Sequence, residues 1–447
     1  LYQGGYSQYY RQVSNKFTHY TRNQNNTRGI FTDSSTGKVY FVGEHYRYGD
    51  TVSDAILEYD INTDTIRSLL QLPANGNLPA FAKFGGKMYL GGGTNYTTDY
   101  NHFVHLLYGD SAGWDTVLMQ PNGHVACLYS TAGKLYAAGA FTSMSGVTYN
   151  KIAVFDGQTW QGLTQNNHFD EMSTIKTVLN YKGMLYAAGT IVDSFNTQMF
   201  QLARYNGHNW EAVPGWKIGI NSYILNMCVY KDILYVAGYF YASDGTSLGN
   251  CIAGFDGQNW FSPGIGANNV INAMCVMGDK LYVSGGFDFI GGIRTNCVAA
   301  WDGQQWCSID SALIELGFTW CGAANDKLFI TGGFRTIGTD SFYRHAVWTG
   351  VNHTDTCGYI YSDVEANEVQ TEIVCKLYPN PATHQLTIQT TGYNSSYQLT
   401  TTTGQLLLQG NVTQPNFTID VSILPPGLYF VQLTNGQQRA VRKFVKQ

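Results

Sequence analysis

Apolar and polar residues alternate in short runs along most of this chain, and the runs return at a near-constant spacing. Pairs made of an apolar residue and an aromatic one begin at Val39, Met88, Leu135, Leu185, Leu234, Leu281 and Leu328, 47 to 50 residues apart. Recurrence at that period marks a repeat architecture, in which one supersecondary unit cannot bury its faces without its neighbours. Within each copy the period-two alternation predicts four short strands. In the sixth they read VINAMCV, KLYVSGG, NCVAAWDG and QQWCSID. Tight-turn pairs such as Gly278-Asp279 separate them. The turn between third and fourth strands recurs as Asp156-Gly157, Asn206-Gly207, Asp256-Gly257 and Asp302-Gly303. These residue types tolerate a left-handed backbone, so the acid is expected to shape a turn and not to catalyse. Trp160, Trp210, Trp260 and Trp306 each follow that turn glycine by three residues and are expected to fill gaps between neighbouring sheets.

Four-stranded units of this period, with a glycine-rich end to the second strand, suit radial blades. With KLYVSGGF, KLFITGGF and the later aromatic-Asp-Gly-x-x-Trp, residues 16–357 resemble the kelch-type β-propellers, including the propeller of galactose-oxidase-like proteins. The chain departs from that pattern where the glycine doublet becomes Gly43-Glu44, Gly139-Ala140, Gly189-Thr190 or Gly238-Tyr239. The resemblance implies an all-β fold, with residues 1–357 forming a seven-bladed propeller. The seventh copy lacks a convincing fourth strand, and residues 11–21 are expected to supply it and close the ring, which removes two open sheet edges.

The pattern changes after Cys375. Residues 376–447 contain no Trp or Cys and carry five Lys and Arg against one acid, Asp420. They alternate as QLTIQTT, YQLTTTTG, QLLLQG, FTIDVS, GLYFVQLTNG and AVRKFVKQ, which predicts a small immunoglobulin-like antiparallel sandwich. Residues 358–375 read as a linker. Leu377, Tyr378, Pro379, Asn380 and Pro381, then Gly404, then Gly427 and Tyr429, then Lys443 and Lys446 stand in the order found in type IX secretion C-terminal sorting domains of type A. The tail resembles that family. The resemblance implies a Bacteroidetes-type exported cargo whose tail is read by the translocon and its sorting machinery, and a cell-surface or secreted destination. The chain begins without Met and without a signal peptide, so a processed form is expected, held as a periplasmic or translocon-bound intermediate. Tripeptides at Asp50, Asp64, Asp110, Asp115 and Asp310 resemble the O-glycosylation sites of such exports.

Composition narrows the remaining choices. A net charge of −5 argues against a nucleic-acid partner. No apolar run approaches the roughly 20 residues a bilayer-spanning helix needs. Nine cysteines form no CxxC and no Cys/His cluster with zinc spacing, so neither metal nor cofactor is expected. Cys357 and Cys375, flanking the junction, are the candidate disulfide pair. No nucleophile elbow, HExxH, P-loop or dinucleotide fingerprint occurs.

The segments joining second and third strands vary most between copies: EHYRYGDTVSDA, GTNYTTDYNHFVH, YFYASDGTSLGN and FDFIGGIRTN. Constant strands with variable aromatic and polar connections suit a binding surface on a rigid scaffold. His45, Tyr46, Tyr96, Tyr241, Asp288, Phe289, Arg294 and Arg335 are the candidate ligand-binding residues. A glycan or another surface protein is the expected partner, in an adhesion or gliding role. An extracellular carbohydrate-active enzyme and a structural part of a surface assembly are the alternatives, because carboxylate separation cannot be read from sequence.

Overall fold

A computed structural model describes residues 10–12, 26–46, 52–73, 77–95, 103–149, 151–163, 169, 173–191, 201–216, 222–241, 249–295, 297–309, 319–334, 336–337, 340–341, 345–348, 356–357, 375–390, 395–401, 405–435 and 438–447. Every described regular element of any length is a β-strand. The chain divides into two compact units, Leu1–Tyr361 and Ser362–Gln447.

The first unit is a succession of antiparallel sheets. Sheet one comprises Asn26–Asp33, Lys38–Tyr46, Val52–Asp60 and Thr65–Pro73, and sheet two Asn77–Phe84, Lys87–Asn95, Phe103–Asp110 and Gly113–Thr116. Sheet three holds Val125–Thr131, Lys134–Gly139, Ile152–Phe155 and Trp160–Gly162; sheet four holds Thr174–Tyr181, Met184–Thr190, Leu202–Tyr205 and Trp210–Ala212. Sheet five follows with Tyr223–Tyr230, Ile233–Tyr239, Ile252–Phe255 and Trp260–Phe261. Sheet six contains Ile271–Met277, Lys280–Gly285, Val298–Trp301 and Trp306–Ser308, and Thr356–Cys357 adds a short fifth strand.

Sheet seven is assembled differently. Thr319–Ala324, Lys327–Gly332 and His345–Trp348 supply three strands, and Tyr10–Gln12 supplies the fourth, with Tyr10 opposite Trp348. Residues 13–21 of the segment expected there lie outside the described residues.

One sequence feature of the repeat has a direct steric cause. In sheets three to six the first strand bulges by one residue where it meets the glycine at or next to the end of the second strand. A Cβ on Gly238 would lie 2.2 Å from the Tyr223 carbonyl oxygen, and one on Gly285 2.1 Å from that of Val270. The recurring glycine is therefore a close approach of two backbones, and the second member of the doublet is free to vary.

Turn and tryptophan follow the same logic. The Oδ1 atoms of Asp156, Asp256 and Asp302 each accept the amides two and three residues on, at 2.7–2.8 Å. Asn206 does the same without charge, so the position serves turn geometry. Backbone amides at Thr159 and Gln158 hold the Asp156 carboxyl below its usual range. Trp260 donates to the Pro214 carbonyl at 3.0 Å and Trp306 to that of Pro263 at 2.7 Å, each reaching the end of the preceding sheet.

The apolar core lies between successive sheets. Tyr181 and Tyr186 of sheet four pack with Leu234, Val236 and Phe255 of sheet five. Val39, Phe41, Leu57 and Tyr59 of sheet one pack with Ala324, Phe329 and Val347 of sheet seven. The first strands touch in chain order, and that of sheet seven touches that of sheet one.

The second unit has two sheets sharing one core. Cys375–Tyr378, Gln385–Thr390 and Asn416–Asp420 form one. Leu406–Val412, Ser395–Thr401, Gly427–Asn435 and Gln438–Lys446, in that order, form the other. Leu386, Ile388 and Ile419 meet Leu399, Val431, Leu433 and Phe444 between them.

The expected pairing of Cys357 with Cys375 is not formed. Cys357 is disulfide-bonded to Cys307, because the fifth strand of sheet six sets these two residues opposite each other. Cys375 is a buried thiol in the core of the second unit. Among the described residues, no helix is long and apolar enough to cross a membrane.

Candidate functional site

In the tail, residues distant in sequence are bonded into one latch. The Asn380 side chain donates to the Lys443 carbonyl at 3.3 Å and accepts the Val445 amide at 2.9 Å. Ala382 continues the contact, its amide reaching the Val445 carbonyl at 2.8 Å while the Gln447 amide returns to its own carbonyl. The Tyr-Pro-Asn-Pro segment thus lies along the last strand and covers part of its open edge. Its Tyr378–Pro379 and Asn380–Pro381 peptides are cis. Leu377 packs on the core, and Tyr378, Pro379 and Pro381 are exposed.

Tyr429 stacks on Phe444, ring centroids 5.7 Å apart, and its hydroxyl donates to the Pro425 carbonyl at 2.8 Å. Gly427 pairs with Lys446 at the end of the closing hairpin. Lys443 is exposed, whereas Lys446 is largely covered. Gly404 lies outside the described residues. On the outward side of the hairpin Leu428, Val441 and Val445 are exposed beside Lys443, an apolar and basic strip that the core does not use.

In the first unit, three of the candidate binding residues come together. Phe289 and Arg294 face each other in a small hairpin, Phe289–Ile290 with Ile293–Arg294, anchored by buried Ile290 and Ile293. Asn268 accepts the Asp288 and Phe289 amides at 3.2 and 3.1 Å and donates to the Asp288 carboxylate. The hairpin is pinned while Phe289 and Arg294 stay exposed. A similar hairpin, Ser143–Met144 with Val147–Thr148, occupies the corresponding connection of sheet three.

Tyr241 stands elsewhere, two residues beyond the second strand of sheet five. Its ring meets that of Tyr239 edge-on at 5.4 Å, and Tyr239 stacks on Tyr223 at 5.7 Å. Tyr223 is 40% and Tyr241 44% exposed, so the three rings form an open aromatic ladder. The hydrogen bond with Tyr239, together with burial, pushes the Tyr241 hydroxyl up to about 12. Tyr223 and Tyr239 were not legible as site residues, since tyrosine is common in the repeat strands. Their cross-strand register, Tyr223 opposite Tyr239, is the signal that finds them.

His45 and Tyr46 end the second strand of sheet one, opposite Asp54 and Ser53. Tyr96 and Arg335 lie outside the described residues. Asp50 and Asp310 of the glycosylation-type tripeptides lie outside them too. Asp64 occupies a turn with φ of 52°, and Asp110 ends a strand of sheet two, where it accepts the Ala112 amide of the following turn at 2.8 Å.

The first strands of all seven sheets line one cavity of ≈500 Å³. Its lining includes His124, Asn226, Asn272, Trp320 and one ammonium, Lys176, and among the described lining residues none is acidic. Lys176 is the bulge residue of its strand, where sheets three, five and six carry Ala126, Leu225 and Asn272. Its side chain is open to the cavity yet ringed by protein, and that desolvation lowers its pKa. Aligning the bulge positions across copies exposes this charge.

Residues 376–447 match the family model described as a secretion system C-terminal sorting domain. Such a tail marks the chain as a cargo of the type IX secretion system, directed to the cell surface or beyond. Among curated proteins none matches the chain. Among solved structures, one reported as PorZ, an essential bacterial surface component of the type-IX secretion system of Porphyromonas gingivalis, is similar over 94% of this chain and 75% of its own. The identity is 11% and the TM-score 0.23.

Proposed function

We propose that the seven sheets are the blades of a closed propeller, kelch-like in its repeat, and that this unit is a non-catalytic glycan-binding module of an exported Bacteroidetes protein. The contact of sheet one with sheet seven and the common cavity support the ring. The open ladder of Tyr223, Tyr239 and Tyr241 carries the binding reading. It stands at the start of a strand whose Leu225, Asn226 and Met227 line the cavity. Tyrosine faces stack on the apolar faces of sugar rings, and a ladder with two of its three rings on paired strands needs little reordering to bind. Asp288, Phe289 and Arg294 on their pinned hairpin add directional contacts, with His45, Tyr46, Tyr96 and Arg335 as further candidates. The lack of acids among the described cavity-lining residues weighs toward binding and away from paired-carboxylate hydrolysis.

The tail serves as the export signal, read by the translocon and sorting machinery through Leu377, Tyr378, Pro379, Asn380, Pro381, Gly404, Gly427, Tyr429, Lys443 and Lys446. The exposed Leu428, Val441 and Val445 beside Lys443 offer it an apolar, basic surface.

Incubating the full chain with a panel of polysaccharides, with retention and released sugars measured together, tests the module. Retention without products is expected, falling at least roughly tenfold in Tyr241→Ala and Tyr223→Ala, the loss of about 1.4 kcal/mol. Released products would assign it to the carbohydrate-active enzymes. Absence of both would turn the assignment toward a surface protein or a structural assembly.

A further inference from the structure

Two thiols face each other across the joint between sheets six and seven. Cys275 lies on the first strand of sheet six and Cys321 on the first strand of sheet seven, with their Sγ atoms 3.6 Å apart. Cys321 is buried, and its sulfur also meets the Ala273 and Tyr282 carbonyls at 3.8 and 4.0 Å. Sulfurs already in van der Waals contact reach bonding distance through side-chain rotation and a small backbone adjustment. A third thiol, Cys228 of sheet five, interacts electrostatically with Cys321 and defines the competing partner.

Sheet six already carries a bridge, between its fourth and fifth strands. Cys307, on the fourth strand of sheet six, is joined to Cys357, which follows the strands of sheet seven. A sorting tail sends the chain into compartments where disulfides persist.

We propose that Cys275 and Cys321 form a second disulfide in the exported protein, so that the segment from Cys321 to Cys357 is fastened to sheet six at both ends. A disulfide-bearing oxidant, small or protein, takes up the electrons. One thiolate attacks it, forms a mixed disulfide and releases one reduced thiol. The second thiolate then attacks the cysteine sulfur of that mixed disulfide and expels the other. In sum the two protein S–H bonds become one S–S bond, and the oxidant leaves as two thiols carrying the two protons and two electrons.

Contact with Cys321, burial and neighbouring thiols hold the Cys275 thiol well above its ordinary range. The exchange therefore runs while the chain is folding and the thiols are still accessible. The consequence falls on sheet seven, whose fourth strand comes from the opposite end of the chain. If Tyr10–Gln12 separates, the two bridges still hold the remaining strands in place.

The test uses the full chain, refolded with reduced and oxidised glutathione and then alkylated under denaturing conditions without reductant. Besides the Cys307–Cys357 pair, the other seven cysteines carry no disulfide. The proposal expects five of them to take the label in the intact mass, and a Cys275–Cys321 cross-link in peptide maps assigned by fragmentation. Seven labels would overturn it, as would five labels with Cys228 in the cross-link. Cys275→Ser is expected to take six labels and Cys228→Ser four, the latter keeping the cross-link. Because the first count needs no variant, the outcome does not depend on how either variant folds.

Discussion

Gly238 in the first unit and Asn380 in the second both belong to short motifs, yet they hold their folds in different ways. Gly238 acts by lacking a side chain: the Tyr223 carbonyl occupies the space a Cβ would need. Gly139, Gly189 and Gly285 repeat the device in neighbouring sheets. Asn380 acts through its side chain, which bonds both a carbonyl and an amide of the last strand. Among the described residues of the tail it has no counterpart. Charge sets the tail apart as well: residues 376–447 carry +4 and residues 1–375 −9. A repeat unit spreads its constraints, whereas a single-copy module concentrates them. Residues that look like a signal in the tail are therefore also those that keep it folded.

The largest test removes residues 376–447 altogether. Export is expected to stop, with the protein recovered folded from the periplasm and absent from the surface and medium. Normal secretion of that truncation would sink the export role and leave the tail as a structural accessory.

Next in size is Gly238→Ala, expected to destabilise the first unit by roughly 2–4 kcal/mol in chemical unfolding. Gly278→Ala is the control. Its Cβ would meet nothing within 4 Å, but φ is +58°, so about 1 kcal/mol is expected. Equal losses would contradict the steric account of the repeat glycine.

Asn380→Ala removes two exposed hydrogen bonds and is expected to cost the second unit about 1 kcal/mol. Export should fall with it if latch and signal are one feature. Unchanged export from a destabilised tail would separate them.

The smallest effect concerns Lys176. Its pKa is lowered in the folded state, so the unfolded chain holds its proton more tightly, and at neutral pH the charged amine disfavours folding. Lys176→Met should raise the thermal midpoint on the order of 1 °C at pH 7. As pH climbs above 10.5 the wild-type amine is neutral in both states and the gain should vanish. A gain that persists there would point to packing and not to charge.

Much of this was legible from residues alone. The period, the four-strand units, the Asp-Gly turns and the inter-sheet tryptophans are local patterns, and local patterns survive in sequence. The six strands expected in the tail also appear, joined by Cys375–Tyr378, where the prolines of the motif masked a short strand. What could not be read depends on register. Cys307 meets Cys357 because a two-residue strand adds to sheet six. Tyr223 meets Tyr239, and Lys176 lies at a bulge, for the same kind of reason. A shift of one residue in pairing would send each of these side chains to the other face.

The fourth strand of sheet seven also sets an order of events. Tyr10 pairs with Trp348, roughly 340 residues away. A chain delivered in sequence through a narrow pore would expose its first strand long before the partner arrives. Sheets one to five and the first four strands of sheet six can zip up as they emerge, each on its predecessor, but the last handshakes must wait for residues 348 and 357. Until then the early segment is a loose end, open to chaperones and to false pairing. For this molecule, completion is a matter of timing as well as of contacts.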